Sequence, residues 1–290
     1  MSSNGNAEIL ERGYRRFEGE RKGVFHAVGS TAWYTTKSIF GLGRKARQKF
    51  FPVTIIVLAF LIAVIQLALV FLFDEIPEFL IIEDWEIVAQ NWLFVLLFGA
   101  LVAPEAIVRD RRDGLFSLYM STPLTRGTYL AAKIFAVTGS MLVIVLGPSL
   151  LYFIGRTIKG VGPDGFGNWI ITLGRILLAC FAVALLMGLL SLTASCFTDR
   201  RAFASVIVIL ILIIFPAVTE ALLSNTGVGI NIKLLDPVLI GLEFGTRVFG
   251  SESEDAISRV DTYLIYLSFI GWVGLTAGIL SSRYRRLAAI

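Results

Sequence analysis

The sequence predicts an all-α, polytopic membrane protein with six transmembrane helices and both termini in the cytoplasm. Three observations carry this prediction. Apolar residues make up 56% of the 290 residues and charged residues only 17%, against about 45–50% and about 25% in soluble domains; mean hydropathy is +0.77. Six apolar runs are each long enough to cross a hydrocarbon core of about 30 Å at about 1.5 Å per helical residue. Lys and Arg fall on alternate sides of those runs.

In chain order, residues 1–24 are polar and charged and are expected to be a flexible cytoplasmic N-terminus. Residues 25–52 hold Trp33, Tyr34, Ile39 and Phe40, then the basic cluster Arg44, Lys45, Arg47 and Lys49. Trp33 and Phe40 lie two helical turns apart and share a face. The segment reads as an amphipathic helix on the inner membrane surface that turns at Pro52 into the first span. Gly41 and Gly43 weaken that helix, and a basic juxtamembrane linker is the alternative.

The transmembrane domain covers residues 53–282. Its spans are 53–73, without charge; 88–108, with Glu105; 134–154, uncharged; 169–197, with Arg175 near its start; 202–222, with Glu220 at its outer boundary; and 262–282, uncharged. Gly147-Pro148 and Pro216 predict kinks. Residues 155–168 read as a Gly/Pro-rich external turn and 198–201 as a tight inner turn. Residues 223–260 form the largest external segment. Within it LLDPVLIGLEFGTRVFG is apolar but too interrupted by Pro and Gly to span, so a short helix or re-entrant element is expected there. Residues 283–290 form a cytoplasmic tail.

Charge sets the orientation. Of 26 Lys and Arg, 20 fall on the inner side: ten before Pro52, five in 109–133, Arg200 and Arg201, and three in the tail. The first outer loop, DEIPEFLIIEDWE, holds six acids and no base. The net +4 is therefore the positive-inside pattern, suited also to an anionic inner leaflet. It is not a nucleic-acid footprint. A multi-pass protein of the cell membrane without a signal peptide is expected, since the first apolar run follows 52 residues.

Catalytic chemistry finds little to build on. His26 is the only histidine, so no metal site of His/Cys/carboxylate type is expected. HExxH, GxSxG and GxxxxGK[ST] are all missing from the sequence, which argues against catalysis or nucleotide cleavage on this chain. Cys180 and Cys196 share one helix and stand about 24 Å apart, too far to bond. Gln66, Glu105, Ser140 and Ser191 are polar groups within spans, and burying them in lipid is costly. Each has two readings, helix packing or a gating and pathway role. For Glu105, the packing reading is an i,i+4 pair with Arg109.

The segment RDRRDGLFSLYMSTPLTR, residues 109–126, separates spans two and three. Asp110 or Asp113 can cap a short helix beginning near Gly114. Leu115, Leu118 and Tyr119 share a face, flanked by Phe116 and Met120. Pro123 ends the helix at or before Thr122, and Thr125 can cap the next span. An apolar helix rimmed by arginines suits a partner's groove; the same pattern suits lipid headgroups.

The run Pro104-Glu105, then Arg109-Asp110-Arg111-Arg112-Asp113-Gly114-Leu115, Leu118-Tyr119, Ser121-Thr122-Pro123-Leu124-Thr125-Arg126, Tyr129 and Lys133 resembles the segment after the second span in ABC-2 type permeases, the membrane subunits of ABC transporters. The likeness is close over about 30 residues and loose over the rest. It implies that residues 109–126 are a coupling helix docking into a separate ATPase subunit, with the helix at 25–52 packed beside it. The implied contact residues are Arg109, Asp110, Arg111, Arg112, Leu115, Phe116, Leu118, Tyr119, Thr122, Pro123, Leu124 and Arg126. It further implies two ATPase subunits that hold the ATP and Mg, a second copy of this chain or a related permease, and export as the direction. No cofactor is then expected on this chain. A stand-alone secondary transporter is the alternative, which would need intramembrane ionisable groups. A membrane enzyme acting on lipid is a third reading.

Overall fold

The computed structural model describes residues 23–43, 45–73, 83–226, 229–251 and 256–287. Nearly all of the N-terminal segment expected to be flexible lies outside the described residues. The described residues form eleven α-helices: α1 Val24–Ile39, α2 Ala46–Leu72, α3 Asp84–Gln90, α4 Trp92–Leu101, α5 Glu105–Arg112, α6 Phe116–Met120, α7 Arg126–Lys159, α8 Gly165–Ser195, α9 Arg201–Thr226, α10 Pro237–Phe249 and α11 Thr262–Leu287. Six stretches are long and apolar enough to cross a membrane: Gln48–Leu72, Val88–Arg112, Arg126–Lys159, Gly165–Ser195, Arg201–Asn225 and Thr262–Arg285.

Contacts at the helix ends show that these stretches alternate in direction. At one end Arg111 of α5 meets Asp199 before α9, Arg283 of α11 lies over the Phe197 ring after α8, and Thr35 of α1 meets Lys133 of α7. At the other, Lys159 of α7 lies over Phe71 of α2, Arg175 of α8 bonds Phe249, and Arg247 bonds Thr262 at the start of α11. The described ends of the chain, at α1 and α11, therefore share the arginine-rich end. Helix α8 is the axis and touches α3, α4, α5, α7, α9, α10 and α11.

Helix α1 stops earlier than the sequence suggests. Gly41 adopts φ +64°, and the Leu42 N–H donates back to the Lys37 carbonyl at 2.8 Å, a C-terminal cap that favours glycine. The chain turns here and not at Pro52, which lies inside α2. Pro52 has no N–H for the Gln48 carbonyl, and the Gly41 backbone closes over that carbonyl: a Cβ at Gly41 would sit 2.9 Å from it. Thr31, Thr35 and Ile39 form the buried stripe of α1, while Trp33 is exposed and Phe40 packs on Phe98.

Close approach of α2 and α7 rests on glycine. A Cβ at Gly147 would fall 2.4 Å from the Phe60 ring, and one at Gly155 would fall 2.3 Å from Leu67. Small residues let helices meet backbone to backbone where lipid offers no hydrophobic drive. Helices α7 and α9 continue through Pro148 and Pro216.

The segment before α11 dips into the bundle. The Leu234 carbonyl accepts bonds from Ser268 Oγ at 2.8 Å and Trp272 Nε1 at 3.3 Å, and Trp272 lies about 15 Å along α11. Asp236 then caps α10 by accepting from the Val238 and Leu239 N–H groups at 2.9 and 3.2 Å. Helix α10 returns along α8, with Gly241 against Leu186 and Met187 and Gly245 against Ala179. Its buried Glu243 pairs at 2.8 Å with the largely buried Arg247. A short helix in the 223–260 segment was expected; its burial against α8 was not.

Two outcomes follow. Gly43→Ala costs about 1–2 kcal/mol for a left-handed residue, because its φ is +81° and nothing lies within 4 Å of its Cβ position. Gly41→Ala costs more, through the added carbonyl contact. Melting temperatures in detergent rank the two, and equal losses would sink the contact argument. At Asp236, burial pushes the carboxyl above its ordinary value. Its contribution to stability is therefore full below about pH 4 and is lost as pH rises through the raised value. Asp236→Asn keeps the capping oxygen and removes that slope, whereas Asp236→Ala costs about 1 kcal/mol. Melting temperature against pH tests both variants.

Candidate functional site

The arginine-rich end is organised around a buried charge. Lys133 Nζ of α7 lies 2.6 Å from Asp110 Oδ2 of α5, with side chains 2% and 6% exposed. The Tyr129 hydroxyl donates to the same oxygen at 2.9 Å, and Lys133 donates to Thr35 Oγ of α1 at 2.9 Å. The ammonium also sits 5.6 and 5.3 Å from the Tyr119 and Tyr129 ring centres, within cation–π reach. The Tyr284 ring of α11 lies tilted 6.0 Å from that of Tyr129. Burial, then the Asp110 charge, pushes the Tyr119 hydroxyl above its ordinary value, so it stays protonated. The cluster joins α1, α5, α6, α7 and α11.

Around it lies a layer of arginines. Arg111 pairs with Asp199 at 2.8 Å and donates to the Cys196 carbonyl. Arg109 reaches Ser38 Oγ at 3.1 Å and Asp113 at 3.4 Å. Arg112 pairs with Asp113 at 3.0 Å, and that hydrogen bond holds the exposed Asp113 carboxyl below its usual range. Glu105 pairs with Arg201 of α9 at 3.0 Å, not with Arg109 as the i,i+4 spacing suggests. Cys196 is fully buried beside them.

The break before Pro104 explains two of these contacts. The Ala103 N–H bonds the Phe98 carbonyl and the Glu105 N–H bonds the Val102 carbonyl, so the Gly99 and Leu101 carbonyls lose their helical donors. Ser191 Oγ of α8 donates to the first at 2.5 Å and Arg201 to the second at 2.7 Å. Freed backbone at membrane depth needs such substitutes. Ser191 therefore supports a broken helix. Ser140 donates to its own helix at Ala136, and Gln66 joins α2 to α3 through Gln90 at 2.7 Å.

Helix α6 hangs from this cluster by Tyr119. The Leu115 N–H bonds the Asp110 carbonyl at 2.9 Å, and Thr122 Oγ closes the far side on the Tyr119 carbonyl at 2.6 Å. Thr125 and Thr128 form a reciprocal capping box on α7, as the sequence suggests. Of the residues implied as partner contacts, Arg112, Leu118, Thr122, Pro123 and Arg126 are exposed, with Leu118 at 63%. Arg109, Arg111, Leu115 and Tyr119 are half-buried, with the Tyr119 ring packed on Tyr129. Asp110 and Leu124 are buried in the isolated chain, and Lys133 holds the Asp110 carboxylate. The side chain of Phe116 lies outside the described residues. Thr35, Asp199 and Tyr284 belong to the site and carry no local sequence signal.

Among the described residues no group of three or more His, Cys, Asp or Glu is placed to hold a metal. Comparison with known proteins finds no family model that matches this chain and no matching curated protein.

Removing one member of the buried pair strands the other charge. Asp110→Leu or Lys133→Met alone costs about 3–5 kcal/mol, while the double variant recovers much of that loss. Melting temperatures of the four forms close the cycle, and additive single losses would show that the two groups are not coupled.

Proposed function

We propose that the chain is the permease subunit of an ABC transporter of ABC-2 type, in the cell membrane, with its arginine-rich end in the cytoplasm. It pairs with a second copy or a related permease and couples to two separate ATPase subunits, which hold the ATP and Mg. Export is the favoured direction, by the resemblance alone.

One observation carries the reading. Helix α6 presents Leu118 outward amid Arg112, Thr122, Pro123 and Arg126, while its other face is fixed through Tyr119 to the Asp110–Lys133 cluster. A helix resting on headgroups needs no such anchor. A helix that receives a push does, because force at Leu118 is then delivered to α1, α5, α7 and α11 together. Closure of two ATPases favours one tilt of these helices over another, a rigid-body switch set by differential affinity. The concentration of Lys and Arg at this end supports its cytoplasmic placement. The motif resemblance over residues 104–133 supports the partner's identity.

Affinity purification of the tagged chain from its native membrane, with ATPase assay and mass spectrometry, tests this. A companion chain with a phosphate-binding loop is expected. Leu118→Asp weakens its capture about thirtyfold, as loss of an interface anchor does, and leaves the melting temperature unchanged because the side chain is exposed. Recovery of the chain without ATPase activity, in wild type and variant alike, would refute the proposal.

A further inference from the structure

A cavity of about 570 Å³ opens at the arginine-rich end, beside α6 but not part of it. Its walls come from the turn before α2, from α5 and from the start of α9. Lys45, Arg109, Arg112 and Arg201 line it, with Glu105 and Asp113 the only carboxylates among the described lining residues. Among the described lining residues four cations face two carboxylates, so cationic groups outnumber acidic ones. Arg201 and Arg109 are fixed by Glu105, the Leu101 carbonyl and Ser38, which preorganises half of the cationic wall. That charge and size suit a phosphate ester.

The surroundings select a lipid as the source of that phosphate. The cavity lies at the end of six helices apolar enough to span a membrane. Helix α4 leads to it: Arg201, in the cavity wall, holds the carbonyl of Leu101, the last residue of α4. Leu93 and Leu97, one turn apart on α4, are 50% and 40% exposed. Helix α4 packs against both α2 and α9, whose first turns expose Phe51, Val53, Phe203 and Val206. An acyl chain laid along Leu93 and Leu97 would bring its headgroup to the cations.

We infer that this cavity binds the phosphate of an anionic phospholipid, with Lys45, Arg109, Arg112 and Arg201 around the headgroup and the acyl chains along α4 between α2 and α9. The inference stands apart from the ATPase partnership, because it concerns the isolated chain.

The test titrates the full-length chain in neutral detergent with dioleoyl phosphatidylglycerol, dioleoyl phosphatidylcholine or inorganic phosphate, and reads melting temperature. Phosphatidylglycerol is expected to raise it, and the other two are not. The shift should shrink between low and high salt as the charges are screened. Lys45→Gln with Arg112→Gln, both exposed and outside the buried cluster, should raise the half-effect concentration about thirtyfold, from about 1 kcal/mol per basic residue at a membrane surface. Arg126→Gln, at the same end but outside the cavity, should not. Native mass spectrometry of retained phosphatidylglycerol gives a second readout that does not depend on the variants' stability. Equal shifts with both lipids, or an unchanged response in the double variant, would overturn the site. A shift with inorganic phosphate equal to that with phosphatidylglycerol would overturn the lipid assignment.

Discussion

The ion pair between Asp110 and Lys133 is the constraint on which the arginine-rich end depends. Removing two charges from water is expensive, and their attraction offsets the cost only when the remaining valences are filled. Here Tyr129 and Thr35 fill them and two tyrosine faces close the sides. The contributors come from α1, α5, α6 and α7, so no element can leave without stranding a charge. The same demand sorts the arginines. With Asp110 committed inward, Arg111 turns to Asp199 and Arg109 to Ser38 and Asp113. Arg112, paired with exposed Asp113, remains at the surface.

Between the ends, the bundle is held differently. Gly147 and Gly155 admit Phe60 and Leu67, and Gly188 lies against Val137 and Thr138. Hydroxyls serve as substitutes for missing backbone donors or fold back on their own helices. Such contacts specify distance more than direction, so they permit tilting while they resist separation. The outward faces of α2, α9 and α11 are largely uncovered apolar surface, as expected for helices that meet lipid or another protein chain.

The sequence made the spans readable because lipid imposes a one-dimensional signal, run length and charge, that survives without tertiary knowledge. Thr125 was readable for a similar reason, since a cap is local. What failed was long-range. Asp110 looked like a cap or a surface contact because its neighbours are arginines; its partner Lys133 lies 23 residues on, in α7, and Thr35 lies on α1. Glu105 has a good local partner in Arg109 and takes Arg201 instead, because that side chain also answers the Leu101 carbonyl freed at Pro104. Pro52 looked like a turn because proline usually breaks helices, yet early in α2 the lost bond is one carbonyl, and Gly41 covers it.

The opposite end repeats the strategy with other residues. Buried Glu243 pairs with the largely buried Arg247, and the guanidinium also holds Thr262 and the Ser258 and Val260 carbonyls. This fixes α10 to the start of α11, as Asp110 and Lys133 fix α1 to α5 and α7. Both ends are thus clamped by charges that cannot be separated cheaply in a low-dielectric setting, while the middle is joined by small residues and dispersion. A molecule built so has few soft internal deformations near its ends. In the proposed permease a push on α6 would therefore be passed to the clamp, because α6 is tied to it through Tyr119.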